Sequence, residues 1–473
     1  MDTKPLNVAI ASKSHYNKVN CPSVEASLVE NQDGSVQTGK PLYIPDSIDL
    51  DRLLDEHPPN FSYHKDYFVH ILHLINAISI RNRDLLDKND GFTPIHKKTL
   101  QSKNRNYKDY LIYLKDMGII EENHLYKPGE YSQSYKFTDR YNTKTIPAVI
   151  TKKTLVKSLS NYDKSIDVDK TEDYLFLKKW FNEKLVIDVE CATNKLTDEF
   201  LEDLKNSEIK NPTLRLNSKL IPVQKLFRKE YDFFVDSSGN RLHTNLTCVK
   251  SNIRKCINYD NERLVGIDIK NAQPYLAVAV LDIKVFKSLG LEHKIKNPYT
   301  DITKLKKLIK SIENNPDVLL FKHLVSSGGF YEEFGQLLLN EKLVESKSPD
   351  VLRNEVKEIV FEAIYSSNKN NSPTSRVFKS TFPSVYKVFT ELKKGRGKKA
   401  HSHLALLLQR LEADLVLNKA CRLVNSFDEN IPLFTIHDNI VTTVNNRKLV
   451  KRILKRVLKN SIGLKPSLKV EYW

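Results

Sequence analysis

The sequence predicts an α+β protein, on three observations. Residues 264–275 (Leu-Val-Gly-Ile-Asp-Ile-Lys-Asn-Ala-Gln-Pro-Tyr) and 434–442 (Phe-Thr-Ile-His-Asp-Asn-Ile-Val-Thr) are apolar, β-rich runs. Each delivers an aspartate, Asp268 or Asp438, at its polar end. Between them, 348–367 has the spacing of a long helix, and 61–140 reads as three helices followed by a hairpin.

Taken in order, residues 1–60 are rich in Ser, Asn, Asp and Pro with little periodicity. They are expected to form a disordered or extended tail, docking weakly around 41–54. Order is expected from Phe61. An apolar helix covers 67–75, the Gly-Phe-Thr-Pro of 91–94 interrupts, and a short helix fits 97–103. Tyr107, Tyr110, Leu111 and Leu114 give a third helix over 106–117, which Gly118 ends. Strands at 119–121 and 131–137 flank a Lys-Pro-Gly-Glu turn at 127–130. This order is that of a winged helix, whose third helix would present Lys103, Arg105 and Lys108 to nucleic acid. A scaffold role for the same domain stays open. Residues 151–235 alternate basic and apolar residues with helical periodicity, and 393–399 reads as a flexible basic loop.

The helix at 348–367 carries the chemistry. Ser348 can cap it and Pro349 suits its first position. Arg353, Lys357, Phe361 and Tyr365 follow at i+4 steps, which keeps them on one slowly turning face. Two cations, a ring and a phenol in a row suit a nucleoside triphosphate: phosphates on Arg353 and Lys357, base on Phe361, Tyr365 near sugar and template. Spacing alone favours an ordinary basic amphipathic helix. Two aspartates on neighbouring strands are the minimum that holds a pair of Mg²⁺ ions over a phosphodiester being made.

Taken together, these segments resemble the family A (polymerase I-like) DNA polymerases. Their nucleotide-binding helix has this order of Arg, Lys, aromatic and Tyr. Their first and last catalytic motifs resemble the contexts of Asp268 and of His437-Asp438-Asn439. Further similar segments are 239–246 (Gly-Asn-Arg-Leu-His-Thr-Asn-Leu), 377–385 (Val-Phe-Lys-Ser-Thr-Phe-Pro-Ser-Val), 409–414 (Gln-Arg-Leu-Glu-Ala-Asp) and the closing strand at 466–471. The resemblance covers 236–473 and implies a right-hand architecture with an antiparallel palm sheet and helical fingers and thumb. It implies a thumb-like region at 146–235, palm at 236–282 and 405–473, and fingers at 283–404, with the winged-helix-like domain read from its own pattern at 61–145. No acidic trio of a proofreading exonuclease precedes the thumb region.

The same resemblance implies roles. Asp268 and Asp438 hold two Mg²⁺ ions, with Mn²⁺ as a substitute, and the Ile269 carbonyl joins them. Lys357 counts with the catalytic residues. Arg353, Lys357, Phe361, Tyr365 and Gln273 bind the nucleoside triphosphate. Arg241, His437 and Gln409 meet the DNA primer–template. For His437 a catalytic-acid role is open, but a positional one is expected. Gln273 stands where the family has Glu and Asn439 where it has a second acid, so relaxed sugar selection is expected.

Composition bounds the reading. The chain has 473 residues, with 75 Lys plus Arg against 58 Asp plus Glu, a formal charge of +17. That suits a polyanionic partner. The five cysteines form no Cys-x-x-Cys pair, which suits a reducing compartment and argues against structural zinc. No apolar run reaches the ~18 residues of a membrane span, and the N-terminus lacks a secretory leader pattern. A cytoplasmic protein of a bacterium or phage-infected cell is expected, with no membrane partner and no oligomeric state specified. Abundant Lys, Asn and Ile suit an AT-rich phage or mobile element. The leading expectation is a primer-extending DNA polymerase. The alternatives are a single-subunit RNA polymerase or primase-like enzyme, and a non-catalytic replication initiator.

Overall fold

The computed structural model describes residues 28–30, 36–80, 84–123, 132–160, 168–340, 342, 344, 348–395 and 400–473. They mix helices and sheets and fall into two compact units. The first is drawn from Met1–Asp163, Val186–Tyr231 and Cys248–Ile257, and the second from Lys164–Leu185, Asp232–Thr247 and Asn258–Trp473.

In the first unit a short antiparallel strand pair, Leu28–Glu30 with Val36–Thr38, precedes β1 (Lys40–Pro45), which pairs antiparallel along its length with β5 (Thr145–Ile150). This corrects the expectation of a loose tail through residue 60. Leu42, Tyr43 and Ile44 are buried, and α1 (Leu50–Glu56) adds Leu50 and Leu54 to the core. The reason is non-local, because the partner strand comes far later in the chain. Residues 1–27 lie outside the described residues.

Next come α2 (Lys65–Ala77), a two-residue β2 (Thr93–Pro94), α3 (Lys97–Gln101) and α4 (Tyr107–Asp116). Then β3 (Ile120–Asn123) and β4 (Ser134–Phe137) form a hairpin. The sheet order is β2-β4-β3. The expected 127–130 turn lies outside the described residues. Gly118, at φ +64°, ends α4 in a conformation that costs glycine little. Lys103 is not open: its ammonium donates to the Ser158 carbonyl at 2.7 Å and hydroxyl at 2.9 Å. Arg105 and Lys108 are exposed.

The region expected to form a separate thumb is divided: Val186–Tyr231 and the residues up to Asp163 pack into this same unit, and Lys164–Leu185 belongs to the second. Helix α5 (Lys153–Ser160) buries Leu155 and Leu159, and α6 (Val189–Lys205) lies against α7 (Pro212–Phe227). The Asn217 amide on α7 donates to Asn76 of α2 at 3.1 Å and to the Thr143 carbonyl at 2.8 Å, and it accepts from the Thr145 amide at 3.2 Å. Asn217, Asn76 and Thr145 are buried, and a buried amide must be satisfied in this way to be tolerated. Cys191 and Cys256 form a disulfide, with Cα atoms 5.8 Å apart. The cysteine spacing gave no sign of this pair, which lies 65 residues apart in sequence.

The second unit holds a hairpin, β6 (Phe233–Val235) with β7 (Leu242–Thr244), and a sheet around β8 (Glu262–Ile269). Helices follow: α8 (Ala272–Ala277), α9 (Pro316–Ser327), α10 (Phe330–Asn340), α11 (Pro349–Tyr365) and α12 (Ser402–Ala413). The chain closes with β9 (Phe434–Ile436), β10 (Asn439–Thr443), α13 (Arg447–Ile462) and β11 (Leu468–Tyr472). Strand β8 pairs antiparallel with β10 on one side and β11 on the other. The large core of this unit includes Phe321, Phe330, Phe334, Phe378, Phe382 and Phe389. Of the expected basic loop, Lys393 is buried and donates to the Ser366 carbonyl at 3.1 Å, while Lys394 pairs with Glu391. Residues 396–399 lie outside the described residues.

Two histidines of α2 give the first unit a pH dependence: burial pushes His73 down to about 3, and His70 adds its own share. His70 on α2 is 3% exposed, and burial, aided by the Lys103 charge, pushes its imidazole down to about 4. The folded state therefore resists protonation that the unfolded chain accepts near pH 6.5. Its stabilising share is present above that pH and is lost as pH falls towards 4, amounting to roughly 3 kcal/mol at ~1.4 kcal/mol per pH unit. Denaturant unfolding of the His70→Gln variant should vary less steeply than the parent between these pH values. An unchanged pH profile would contradict the assignment.

Candidate active site

The site assembles on the ends of β8 and β10. Ile267 pairs with Ile440 across the two strands. The next residue of β8 is Asp268, and the turn immediately before β10 is His437-Asp438. His437 adopts φ +56° to make that turn. The two aspartates thus meet at one end of the sheet, and each feels the other's charge. Burial first, then the Asp268 charge, then Glu412, holds the Asp438 carboxyl well above the usual carboxylate range. The Arg241 charge and a backbone hydrogen bond only partly offset this. Gly266, two residues before Asp268, has no room for a side chain: an added Cβ would lie 2.7–2.8 Å from the amide of Asn439. Asn439 is 4% exposed and fills that space.

A third carboxylate anchors the surrounding segments. Glu412 on α12 is 1% exposed and accepts two hydrogen bonds from the Arg241 guanidinium, each 2.9 Å. It also accepts from the Gln273 amide on α8 at 2.5 Å. The Tyr365 hydroxyl of α11 reaches the Gln273 oxygen at 3.5 Å. Burial raises the Glu412 carboxyl, and Arg241 and Gln273 oppose the shift. Arg241, expected at the primer–template, is therefore tied to Glu412.

The loop that carries Arg241 is built by Asp236. Its carboxylate accepts from the backbone amides of Ser238 at 3.0 Å, Gly239 at 2.6 Å and Arg241 at 3.0 Å, and lies 3.3 Å from His243 Nε2. Burial alone would raise this carboxyl; His243, Ser238 and the amides instead hold it well below the usual range. Gly239 is packed by Gln409, whose oxygen would lie 2.8 Å from an added Cβ, and the Arg410 guanidinium donates to the Ser238 carbonyl at 2.8 Å. Gln409, expected to touch nucleic acid, thus buttresses this loop. The His437 ring meets His243 edge-on, with centroids 5.7 Å apart.

Helix α11 starts at Pro349, as its sequence predicts, and its N-cap position is Ser348. Arg353 pairs with Glu332 and lies over the Tyr331 ring, 5.2 Å from its centroid. Lys357 is exposed, makes no ion pair to a described residue, and lies 5.8 Å from the Phe361 centroid. Phe361 and Tyr365 are 5.7 Å apart. Tyr331 on α10 is 4% exposed and within electrostatic reach of Asp438 and Arg353.

Sequence reasoning missed Glu412 and Tyr331. Glu412 follows Leu404, Leu408 and Leu411 at helical spacing, so its charge falls on an apolar stripe. An acid there must find a partner, and that conflict was the signal to follow. Tyr331 carries no comparable mark.

The donor set fits a divalent cation. Two carboxylates repel each other in a buried corner where the nearby guanidinium does not compensate them. Among the described residues no group of three or more His, Cys, Asp or Glu is placed to hold a metal ion. Mg²⁺ is commonly held by only one or two carboxylates, with the rest of its shell from water and phosphate oxygens. Asp268 and Asp438 meet that requirement, and Ile269 ends β8 beside Asp268.

The Glu412 network makes a stability prediction. Glu412→Ala would leave the Arg241 charge partly buried and unpaired, which costs about 3–5 kcal/mol. Urea unfolding should show a loss of that size. A loss below about 1 kcal/mol would mean the pair is open to solvent.

No family model and no curated protein matches the chain. Among solved structures, it is similar to the POL domain of Pol1 from M. smegmatis in complex with DNA primer-template and dNTP. The TM-score is 0.41 at 9% identity, covering 86% of this chain and 80% of that one. A likeness of that degree leaves the function to be argued from the site.

Proposed function

We propose that the second unit is a template-directed nucleotidyltransferase that adds dNTPs to a primer 3′ end. The observation that carries this reading is the meeting of Asp268 and Asp438 at one end of an antiparallel sheet. Lys357, a cation paired with no described carboxylate, stands on a neighbouring helix. A divalent cation held by the two aspartates would lower the pKa of the attacking hydroxyl and neutralise charge on the leaving pyrophosphate.

The chain's own residues do the rest. Lys357 meets the triphosphate with its exposed ammonium. Arg353 shares its guanidinium between Glu332 and the incoming phosphates. Phe361 offers its ring to the base. Tyr365 and Gln273, already in contact, form the floor beneath the sugar. Glu412 and Arg241 hold Gln273 rigid, so the floor is set before substrate arrives. His437 contacts the primer backbone.

In this reading the chain is of family A type, without proofreading, and serves a phage or mobile element. The helix, strand, two helices and hairpin of the first unit act as a winged helix, with Arg105 and Lys108 towards nucleic acid. An RNA polymerase or primase-like activity is the second reading. It is favoured by Gln273, an uncharged amide that can donate as well as accept a hydrogen bond at the sugar.

Asp268→Asn and Asp438→Asn should each lower Mg²⁺-dependent primer extension by more than ~10³-fold, about 4 kcal/mol of barrier, while primer–template binding is retained. Near-normal extension by either variant would sink the proposal. Gln273→Ala should narrow the preference for dNTPs over rNTPs in single-nucleotide incorporation. Strict rNTP use by the parent protein would favour the second reading instead.

A further inference from the structure

Between Asp438 and Glu471 the chain contains no acidic residue. In the same interval α13, of 16 residues, repeats cations every three or four positions: Lys448, Lys451, Arg452, Lys455, Arg456 and Lys459. These form two columns at i+4 spacing along one face. The opposite face, with Val450, Leu454 and Leu458, is fully buried in the core of the second unit. The helix is thereby fixed, and its charge is presented outward in a set direction.

None of the six cations makes an ion pair to a described residue. Elsewhere in the same unit lysines find acids: Lys294 pairs with Asp414, Lys322 with Asp282 and Lys184 with Asp260. The six line a groove of about 680 Å³, which Lys465 also borders. A second hollow of about 340 Å³ adjoins it at Lys451, Lys455 and Lys465, with Ser326, Ser327 and Ser467 in its wall. Cations thus converge from the helix and from the segment leading into β11.

We infer that this groove binds the phosphate backbone of double-stranded nucleic acid, at a surface additional to the proposed active site. Three features select that occupant. The charge runs the length of the helix, ~24 Å at 1.5 Å per residue, which suits a linear polyanion rather than a single phosphate group. The lining has no aromatic ring, so it offers no platform for stacking unpaired bases. The apolar residues of α13 are buried or, for Leu449, packed against the core, so the helix has no apolar face to insert into a lipid bilayer. Phosphate contacts of this kind hold and orient a duplex without reading its sequence.

The test uses the full chain and a short blunt-ended DNA duplex, with binding measured by anisotropy across a salt series. Replacing Lys448, Arg452, Arg456 and Lys459 together by Gln should weaken binding at least tenfold. It should also make the log–log salt slope shallower by about 3.6, at ~0.9 for each of four phosphates no longer neutralised. Arg452→Gln with Arg456→Gln should give about half that change, and the set with each Lys made Arg and each Arg made Lys should bind as the parent does. Unchanged helicity and melting temperature exclude misfolding as the cause. Asp268→Asn should bind the blunt duplex normally, so catalysis and this duplex binding are separable. An unchanged salt slope in the Gln variants would overturn the inference. So would equal competition, per unit charge, by anionic phospholipid vesicles or by polyglutamate.

Discussion

The carboxylate of Glu412 is almost wholly removed from water, and an ion in that position is costly unless its oxygens are taken up by donors. Arg241 supplies two and Gln273 a third. Because those donors come from different stretches of chain, satisfying one charge fixes three segments: the Asp236 loop, the start of α8 and the end of α12. Tyr365 joins α11 through Gln273. Asp438 sits in the field of the same carboxylate. Misplacing Glu412 would therefore disturb the proposed sugar floor, the nucleotide helix and the charge on Asp438 together.

Sheet geometry supplies the other constraint. Strand β8 is central, with β10 and β11 on either side, and a one-residue slip would turn Asp268 to the opposite face. The register is held by packing that tolerates no slip: Gly266 lies under Asn439 with no space for a methyl group. Asn439 is buried and fills that space. Glycine and asparagine here serve position, and the two aspartates carry the proposed chemistry.

Much of this was readable in the sequence where local rules govern. Pro349 and the four i+4 residues placed α11 to within a few residues, and the apolar runs ending in Asp268 and Asp438 marked two strands of one sheet. Gly118 marked the end of α4. What was not readable depends on distant partners. Strand β1 has an ordinary sequence and exists because residues 145–150 complete it. The bond between Cys191 and Cys256 joins positions with no informative spacing. Lys103 looked open on a basic helix, yet Ser158 occupies it. Glu412 was overlooked beside Gln409 and Asp414, although an acid on a leucine stripe is the kind of local conflict that signals a buried partner.

Everything proposed for the site requires Asp268 and Asp438 to share divalent cations. The most direct measurement is anomalous diffraction from crystals of the full chain grown with Mn²⁺, primer–template and a non-hydrolysable dNTP. Mn²⁺ peaks should appear between the two carboxylates, separated by ~3.5–4 Å if two ions are bound. Mn²⁺ bound only elsewhere, with the two aspartates hydrogen-bonded to protein groups alone, would contradict that sharing.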